Sequence, residues 1–532
     1  MKFRWYYNEK SDLSIFDQIK ENRQITDSFI HLAISDLPPI SLMKDLAQAA
    51  DRIIEAVRKN EKIMIYGHDD VDGITSTYIL FDFLEQIGFQ NHVYYIPNRM
   101  LETHGIPPKL IDQLVEEKFD LLITVDGGMS EFENVKFLAE NGIETVITDH
   151  HTVQDRIPEA YALVNPKQKD CLYPGEMLAG VGVVYFLVLQ MAEMLSYPMD
   201  ENYLFWVAVG TVSDKVPLVG VNRILLKEVL DKWFMFDCEA FQTMQPYLIP
   251  ALNYSKRISI IKFICRLLAN GREAGGENLA LYYLIAPLEE KEIILQQLVQ
   301  KQRENEVKLN MICDYLKASV PAANKNCIIS LDEDDEIESN LLGFSASQLA
   351  LKYLIPVIFL KHKNGVIIGE GRCTDGFNLM EAFTYCKRSL IQFGGHTKAA
   401  GFTAKKEQIS NFAELFEEYV NKKEEQIENH KRIDIDAVFS IEDFDKFDNY
   451  LQTDYHLLQP FGQGNRSPYF LLKNFKPRRD HGKIKLKDAK NKLDPDELYD
   501  VIFKLKGTGY KLVDHRKAEL SELVGYRETG LS

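Results

Sequence analysis

Residues 62–86 read KIMIYGHDDVDGITSTYILFDFLEQ. An apolar run of strand length, KIMIYG, meets a turn rich in Asp and Gly, and STYILFDFL (76–84) follows with helical spacing. Outward from this unit the alternation continues. HVYYIP (92–97), FDLLITVD (119–126) and IETVITDH (143–150) read as further strands separated by helical segments. Short apolar strands alternating with helices predict an α/β domain built on a parallel sheet. LAGVGVVYFLVLQMAEML (178–195) reads as a buried helix with a glycine-rich start. Residues 201–212 continue as helix or strand into a turn at Ser213–Pro217.

A chain of 532 residues exceeds a single hydrophobic core. The expected division starts with an N-terminal lead-in over 1–45, with a turn at Pro38 and Pro39. The first α/β domain spans 46–220 and a helical connector 221–320. Within the connector, the breaker-poor stretch 286–319 reads as a long helix bridging two lobes. CIISL (327–331), IPVIFL (355–360) and GVIIGEG (365–371) predict strands of a second α/β domain over 321–428, with helices between them. Its last helix is KKEQISNFAELFEEYVNKKEEQIE (405–428). Short strands such as SPYFLLKNF predict a small OB-like β-domain over 429–532.

Hydrophobic residues make up 45% and charged residues 27%, the balance of an ordinary globular protein. No apolar run is long enough to span a membrane, and MKFRWYYNEKSD lacks the apolar stretch of a secretory leader, so a cytoplasmic monomer is expected. The seven cysteines are scattered without a CxxC pair, which argues against a disulfide framework or structural zinc. A net charge of -17 counts against a nucleic-acid binder, yet a binding groove is local and an acidic metal site adds negative charge of its own.

Four segments place carboxylates and imidazoles just after predicted elements. In IMIYGHDDVDG, His68, Asp70 and Asp72 alternate, and in an extended segment they would project to one face. LLITVDGGMS ends its strand with Asp126. TVITDHH carries Asp149, His150 and His151, and GTVSDKVPL places Asp214 in a turn. Each piece alone is weak, because a single Asp after a strand is more often a helix cap. Together they would meet outside the carboxyl ends of the strands, where open α/β sheets build their sites. Carboxylates with imidazoles and no thiolate suit Mn²⁺ better than Ca²⁺. Two such ions can share a bridging carboxylate and a bridging water.

GHDDVDG, VDGGMS, TDHH and GTVSDKVPL, in that order, resemble the four motifs of the DHH phosphoesterases. The resemblance implies that His68 and Asp70 hold one metal, that Asp72, His150 and Asp214 hold another, and that Asp126 bridges them. It implies that His151 contacts the scissile phosphate and that Asp149 orients a histidine. GFSASQLALKYLIPVIFL (343–360), GEGRCTDGFNLMEAF (369–383) and FGGHTKAAGF (393–402) resemble the DHHA1 domain. That implies a substrate site with Ser347, Arg372, Gly394, Gly395 and His396: glycines admit a ligand close to the backbone, and Arg372 offers a planar fork. YYIPNR (94–99), LAGVGVVYFL (178–187), ValAsnArg (221–223) and PFGQGN (460–465) resemble the RecJ branch of the family, which adds Asn222 and Arg223 to the substrate set. The chain departs from that branch at His68, where Asp is usual, and at Gln348, where Arg is usual.

The resemblance implies a 5′-to-3′ exonuclease on single-stranded DNA that releases nucleoside 5′-monophosphates with two Mn²⁺ or Mg²⁺ ions. A single-strand-binding protein or a helicase would be its partner. One alternative is a DHH phosphodiesterase acting on short oligonucleotides, RNA or a small phosphorylated molecule. Another is an inactive replication-associated scaffold, against which the intact ligand set speaks. The basic stretch KNFKPRRDHGKIKLKDAKNK (473–492) offers Phe475 for base stacking and Arg478, Arg479 and Lys483 for phosphates.

Overall fold

The computed structural model describes residues 3–10, 12–98, 102, 105–153, 156–250, 253–271, 278–319, 326–332, 337, 341–363, 365–374, 376–395, 397–429, 432–480, 482–487, 492–506 and 509–518. In the first lobe, strands Ile63–Tyr66 (β1), His92–Tyr95 (β2), Leu121–Val125 (β3), Glu144–Thr148 (β4) and Ala162–Val164 (β5) form one sheet. Their order is β2-β1-β3-β4-β5 and every neighbouring pair is parallel. β1 and β3 are buried at every position, as strands covered by helices on both faces must be. The strand order reverses between β1 and β3, which opens a crevice at their carboxyl ends.

Three helices pack on one another against this sheet: Val71–Gln86 (α1), Gly180–Leu195 (α2) and Asn202–Asp214 (α3). Residues Tyr203 to Thr211 of α3 are all buried. A helix that is apolar all round belongs in a core, and Phe83, Phe186 and Trp206 fill the centre of this one. The turn expected at Ser213 is instead the last turn of α3, which continues through Asp214.

Helix Leu288–Ser319 (α4) is 32 residues long, about 48 Å at the usual helical rise. Leu295 and Leu298 sit in the core of the first lobe, and Ile312 packs with Leu342 and Phe359 of the second. The helix therefore joins two cores. The sheet of the second lobe runs in the order Gln392–Gly395, Ala399–Ala404, Val366–Arg372, Val357–Lys363, Ile328–Leu331. Only its last pair is parallel. IPVIFL and GVIIGEG, expected to be separated by a helix, form an antiparallel hairpin, because the polar segment around Gly365 (φ +80°) is too short for anything but a tight turn.

The C-terminal domain is a five-stranded sheet in the order Ala437–Ser440, Phe470–Phe475, Tyr499–Lys506, Gly509–Lys517, Leu486–Lys487. The N-terminal segment belongs to it. Strand Arg4–Tyr6 pairs in parallel with Arg432–Asp434. Ile15 and Ile19 of helix Ile15–Arg23 enter the C-terminal core, and Gln18 binds both the N–H and the carbonyl of Val438. Buried Asp436 accepts from Arg23 and from Arg466. All seven cysteines are free. Among the described residues, no helix is long and apolar enough to cross a membrane.

Asn222 and Arg223, which the motif resemblance places in the substrate set, are buried, and their side chains bind main-chain carbonyls. Asn222 Nδ2 donates to the carbonyls of Met177 (2.6 Å) and Pro217 (3.0 Å). Arg223 is fully buried; it donates to Phe29 O (3.1 Å) and Leu457 O (3.0 Å) and lies 4.0 Å over the Phe29 ring. Burial pushes the Arg223 guanidinium down to about 10. The side chain thus joins the first lobe to the N-terminal segment and the C-terminal domain. Arg223→Met strands those carbonyls and is expected to lower the unfolding free energy by about 1–3 kcal/mol. Urea unfolding checks this, and an unchanged midpoint would show that the tie contributes nothing.

Candidate metal centre

The first ligands follow β1. Asp70 is the N-cap of α1: its Oδ1 accepts from Gly73 N (3.0 Å) while its Oδ2 faces His68 Nδ1 at 3.0 Å. Cap and ligand are one residue here. Because α1 begins at Val71, Asp72 lies in the first helical turn and not in an extended segment. The trio expected on one face is therefore split. The N–H groups that open α2 hold the Asp72 carboxylate, Gly180 N at Oδ2 and Val181 N at Oδ1, both at 2.8 Å.

Asp126 follows β3 with left-handed backbone (φ +57°), a conformation that Asp tolerates better than most residues. The Thr124 hydroxyl closes the turn by donating to Gly127 O at 2.6 Å. The two Asp126 oxygens then face different partners: Oδ1 lies 3.1 Å from His150 Nε2 and Oδ2 lies 3.9 Å from His68 Nδ1. His150 follows β4, and its Nε2 is also 3.8 Å from Asp72 Oδ2 and 3.7 Å from Asp214 Oδ2.

Three potential ligand groups result among the described residues, His68–Asp70–Asp126, Asp72–His150–Asp214 and Asp126–His150–His151, with ligand atoms in each within 4.8 Å of one another. Burial first, and the neighbouring carboxylates second, push Asp72 and Asp126 well above the usual carboxylate range. Burial pushes His150 down, towards the neutral imidazole that a metal needs. His68 Nδ1, Asp126 Oδ1 and both ring nitrogens of His150 are buried without a hydrogen-bond partner. Buried polar atoms left this way need a partner, and divalent cations in the two pockets would satisfy His68 Nδ1, Asp126 Oδ1 and His150 Nε2.

Asp149 sits behind the ligands. Its Oδ1 accepts from His150 N (2.6 Å) and His151 N (2.9 Å) and pairs with His151 Nδ1 at 2.7 Å; its Oδ2 accepts from Met129 N at 3.1 Å. Burial raises this carboxyl, but the hydrogen bond and charge of His151 outweigh it and hold it below its ordinary value. The same bond raises His151, whose side chain is 57% exposed and so reaches the open side of the centre.

Sequence reasoning passed over three contributors. The α2 amides that anchor Asp72 lie in LAGVG, noted without a role. Asn165 Nδ2 donates to His151 O (3.0 Å) and Lys167 Nζ to His150 O, so the NPKQ turn after β5 holds the histidine pair from behind. A polar turn at a sheet edge was the available signal.

In the second lobe Arg372 ends its strand opposite Ala399, and Gly395 pairs with Ala400 one residue along, so Arg372, Gly394 and Gly395 share one end of the sheet. Gly395 has φ +135°, and a Cβ there would lie 2.5 Å from Ala399 O. Arg372 Nη1 donates to Glu370 Oε2 at 2.9 Å. Ser347 is half-buried and Gln348 exposed on helix Leu342–Tyr353. His396 lies outside the described residues. The basic patch departs from expectation. Phe475 is buried in the C-terminal core and offers no ring to a base, since its strand turns it inward. Arg478 pairs with Asp496 (3.0 Å), Arg479 with Asp480 (2.6 Å), and Lys483 Nζ reaches Ile441 O at 3.3 Å.

A crevice at a topological switch point, lined by paired Asp–His metal pockets and joined by a long helix to a second lobe, defines a DHH phosphoesterase. The model of the DHH family N-terminal domain matches residues 62–211, and that of the DHHA1 domain matches residues 324–422. The single-stranded-DNA-specific exonuclease RecJ of Haemophilus influenzae is 30% identical over 439 residues, spanning 78% of this chain and 76% of that protein. RecJ of Bacillus subtilis is 29% identical over 494 residues, which span 88% of this chain but only 60% of the relative. The crystal structure of RecJ with Mn²⁺ from Thermus thermophilus shares the fold, with a TM-score of 0.77 at 23% identity over 97% of this chain and 80% of that one. The chain belongs to the RecJ family.

Gly180 tests the packing of the centre. A Cβ at this position would lie 2.5 Å from Asp126 Oδ1. Gly180→Ala is expected to weaken Mn²⁺ binding at least about tenfold, the loss typical when a ligand's support is disturbed. Titration calorimetry reads it, and wild-type affinity would show that Asp126 is free to move.

Proposed function

We propose that the chain is a two-metal exonuclease that hydrolyses the terminal phosphodiester of single-stranded DNA from the 5′ end and releases nucleoside 5′-monophosphates. The observation that carries this reading is the single carboxylate of Asp126 facing both ligand groups, one oxygen towards each. Mn²⁺, or Mg²⁺ in its place, would supply an acidified water and charge neutralisation at the reacting phosphate. His68 and Asp70 would hold one ion, Asp72, His150 and Asp214 the other. In the reaction a water oxygen bonds to phosphorus, the bond from phosphorus to O3′ breaks, and a proton ends on O3′.

The chain's own residues prepare that step. Asp149 fixes the ring of His151 through Nδ1, which leaves Nε2 to donate to a non-bridging phosphate oxygen. The raised His151 keeps that proton and adds positive charge where negative charge grows. Arg372 and the amides of Gly394 and Gly395, on the facing lobe, would hold the terminal nucleotide.

Digestion of 5′-labelled and 3′-labelled single strands, with Mn²⁺ and with chelator, tests the reading. The expected result is immediate metal-dependent release of the 5′-terminal mononucleotide. Asp126→Asn is expected to lower the rate by at least about 10³-fold, since it removes the group shared by both sites. His151→Ala is expected to lower kcat by about 10²-fold, the scale of one lost transition-state donor, with Mn²⁺ affinity retained. Survival of long strands alongside cleavage of short oligonucleotides would instead favour an oligonucleotide phosphodiesterase.

A further inference from the structure

Arg372 does not stand alone at its end of the second-lobe sheet. Glu370 lies two residues before it on strand Val366–Arg372, so both side chains rise from one face. Helix Leu342–Tyr353 packs on that face, where Ile368 joins Leu342 and Leu349. The two charged groups meet at the start of this helix, Arg372 Nη1 donating to Glu370 Oε2 at 2.9 Å. The same nitrogen donates to Gly371 O at 2.7 Å. Neither group is hidden: the Arg372 side chain is 25% exposed and that of Glu370 36%.

Two glycines make room for the pair. A Cβ at Gly343 would collide with Arg372 Nη2, and a Cβ at Gly401 would lie 3.0 Å from Glu370 Oε1. Glu370 therefore reaches over Gly401, its partner on the next strand. Gly401 pairs in turn with Gly394, so Glu370, Gly401 and Gly394 form one row across three strands. Gly394 is about 10 Å from Glu370 along this row at the usual strand spacing. No side chain stands between the carboxylate and the glycine floor on which the terminal nucleotide would rest. Exposed Gln348, next to Ser347 on the helix, brings no counter-charge.

Resting on the nuclease reading, we infer that Glu370 determines end specificity: it offsets the charge of Arg372, so that the pocket takes a single strand with an unphosphorylated 5′ end as readily as one with a 5′-phosphate. A terminal phosphate monoester carries about -1.5 to -2 at neutral pH, more than an internal phosphodiester. An unpaired guanidinium would favour that extra charge. A guanidinium already paired with a carboxylate has less to offer it, and Glu370 Oε1 repels it. The first cleavage is the step that reads this difference. Breaking the bond from phosphorus to O3′ leaves a 5′-phosphate on every later end.

The test is Glu370→Gln in the full chain, which removes the charge and keeps the size. First-cleavage kcat/KM is measured with Mn²⁺ on one 3′-labelled single-stranded DNA sequence carrying either a 5′-phosphate or a 5′-hydroxyl. In the wild-type chain the two values are expected to agree within about threefold, less than one exposed ion pair is worth. Glu370→Gln is expected to raise the phosphate-to-hydroxyl ratio about fivefold, the upper scale of one exposed ion pair, through a lower KM for the phosphorylated end. The gain shrinks as salt rises. A deoxynucleoside 5′-monophosphate added as competitor inhibits the variant more strongly than the wild type. Glu370→Ala is expected to move the ratio in the same direction, and circular dichroism checks that both variants are folded. The same ratio in wild type and variants, whatever the overall rate, would overturn the inference and leave the nuclease reading standing. A wild-type preference for the phosphorylated end of about tenfold or more would also overturn it, since one exposed ion pair would then have offset nothing. Failure of the wild-type chain to digest either strand would remove the nuclease reading itself.

Discussion

The carboxylates of Asp70, Asp72, Asp126 and Asp214 crowd two imidazoles at the end of a parallel sheet. Among the described residues, no lysine or arginine pairs with Asp72 or Asp126, and both are buried. Charge of one sign held out of water is strongly unfavourable without a counter-charge. The upward push on both carboxyls is the same fact expressed as proton affinity. Two dications would cancel the four negative charges and give partners to His68 Nδ1 and His150 Nε2 together. The rest of the catalytic lobe is arranged to keep these groups close in spite of their repulsion.

That arrangement relies on rigid backbone more than on side chains. Asp72 is held by the first amides of α2, Asp149 by three amides of its own neighbourhood, and Asp126 by a left-handed turn. Backbone donors cannot swing away as side chains can, so Asp72 and Asp149 are held firmly in place. Asp214 differs, being the last residue of α3 with a side chain 25% exposed. Its segment is steadied from outside, by the C-terminal loop at Leu218 and by the carbonyl contacts of Arg223. The N-terminal segment and the C-terminal domain therefore brace the stretch that follows Asp214.

What was legible in the sequence follows from how local each feature is. The strands and the residues just beyond them were legible because a short apolar run and the polar turn after it lie side by side in the chain. Asp126, Asp149, His150 and His151 all fell in such places. The split of His68 and Asp70 from Asp72 was not legible, because it depends on which Asp caps α1, a choice made by three-dimensional packing. Phe475 and Arg223 failed for a related reason: whether a ring or a guanidinium faces solvent is decided by partners remote in sequence, such as Phe29 for Arg223, 194 residues away. The N-terminal segment read as a lead-in because its partner strand begins only at Arg432. The basic stretch after 473 looked like a binding surface because its counter-charges, Asp496 among them, lie beyond a turn.

The overall charge of -17 counted against nucleic acid, and the structure shows why the sum misleads. Four of the negative charges belong to a centre that dications would neutralise. Many others are spent on ion pairs at the surface, such as Asp27 with Lys20 and Asp170 with Lys44. Fields from exposed charges fade over about 10 Å at moderate salt, so a substrate at the metal centre would respond to the groups beside it far more than to carboxylates across the molecule. What such a chain can bind is decided by the charge beside its site, and the sum over the sequence does not report it.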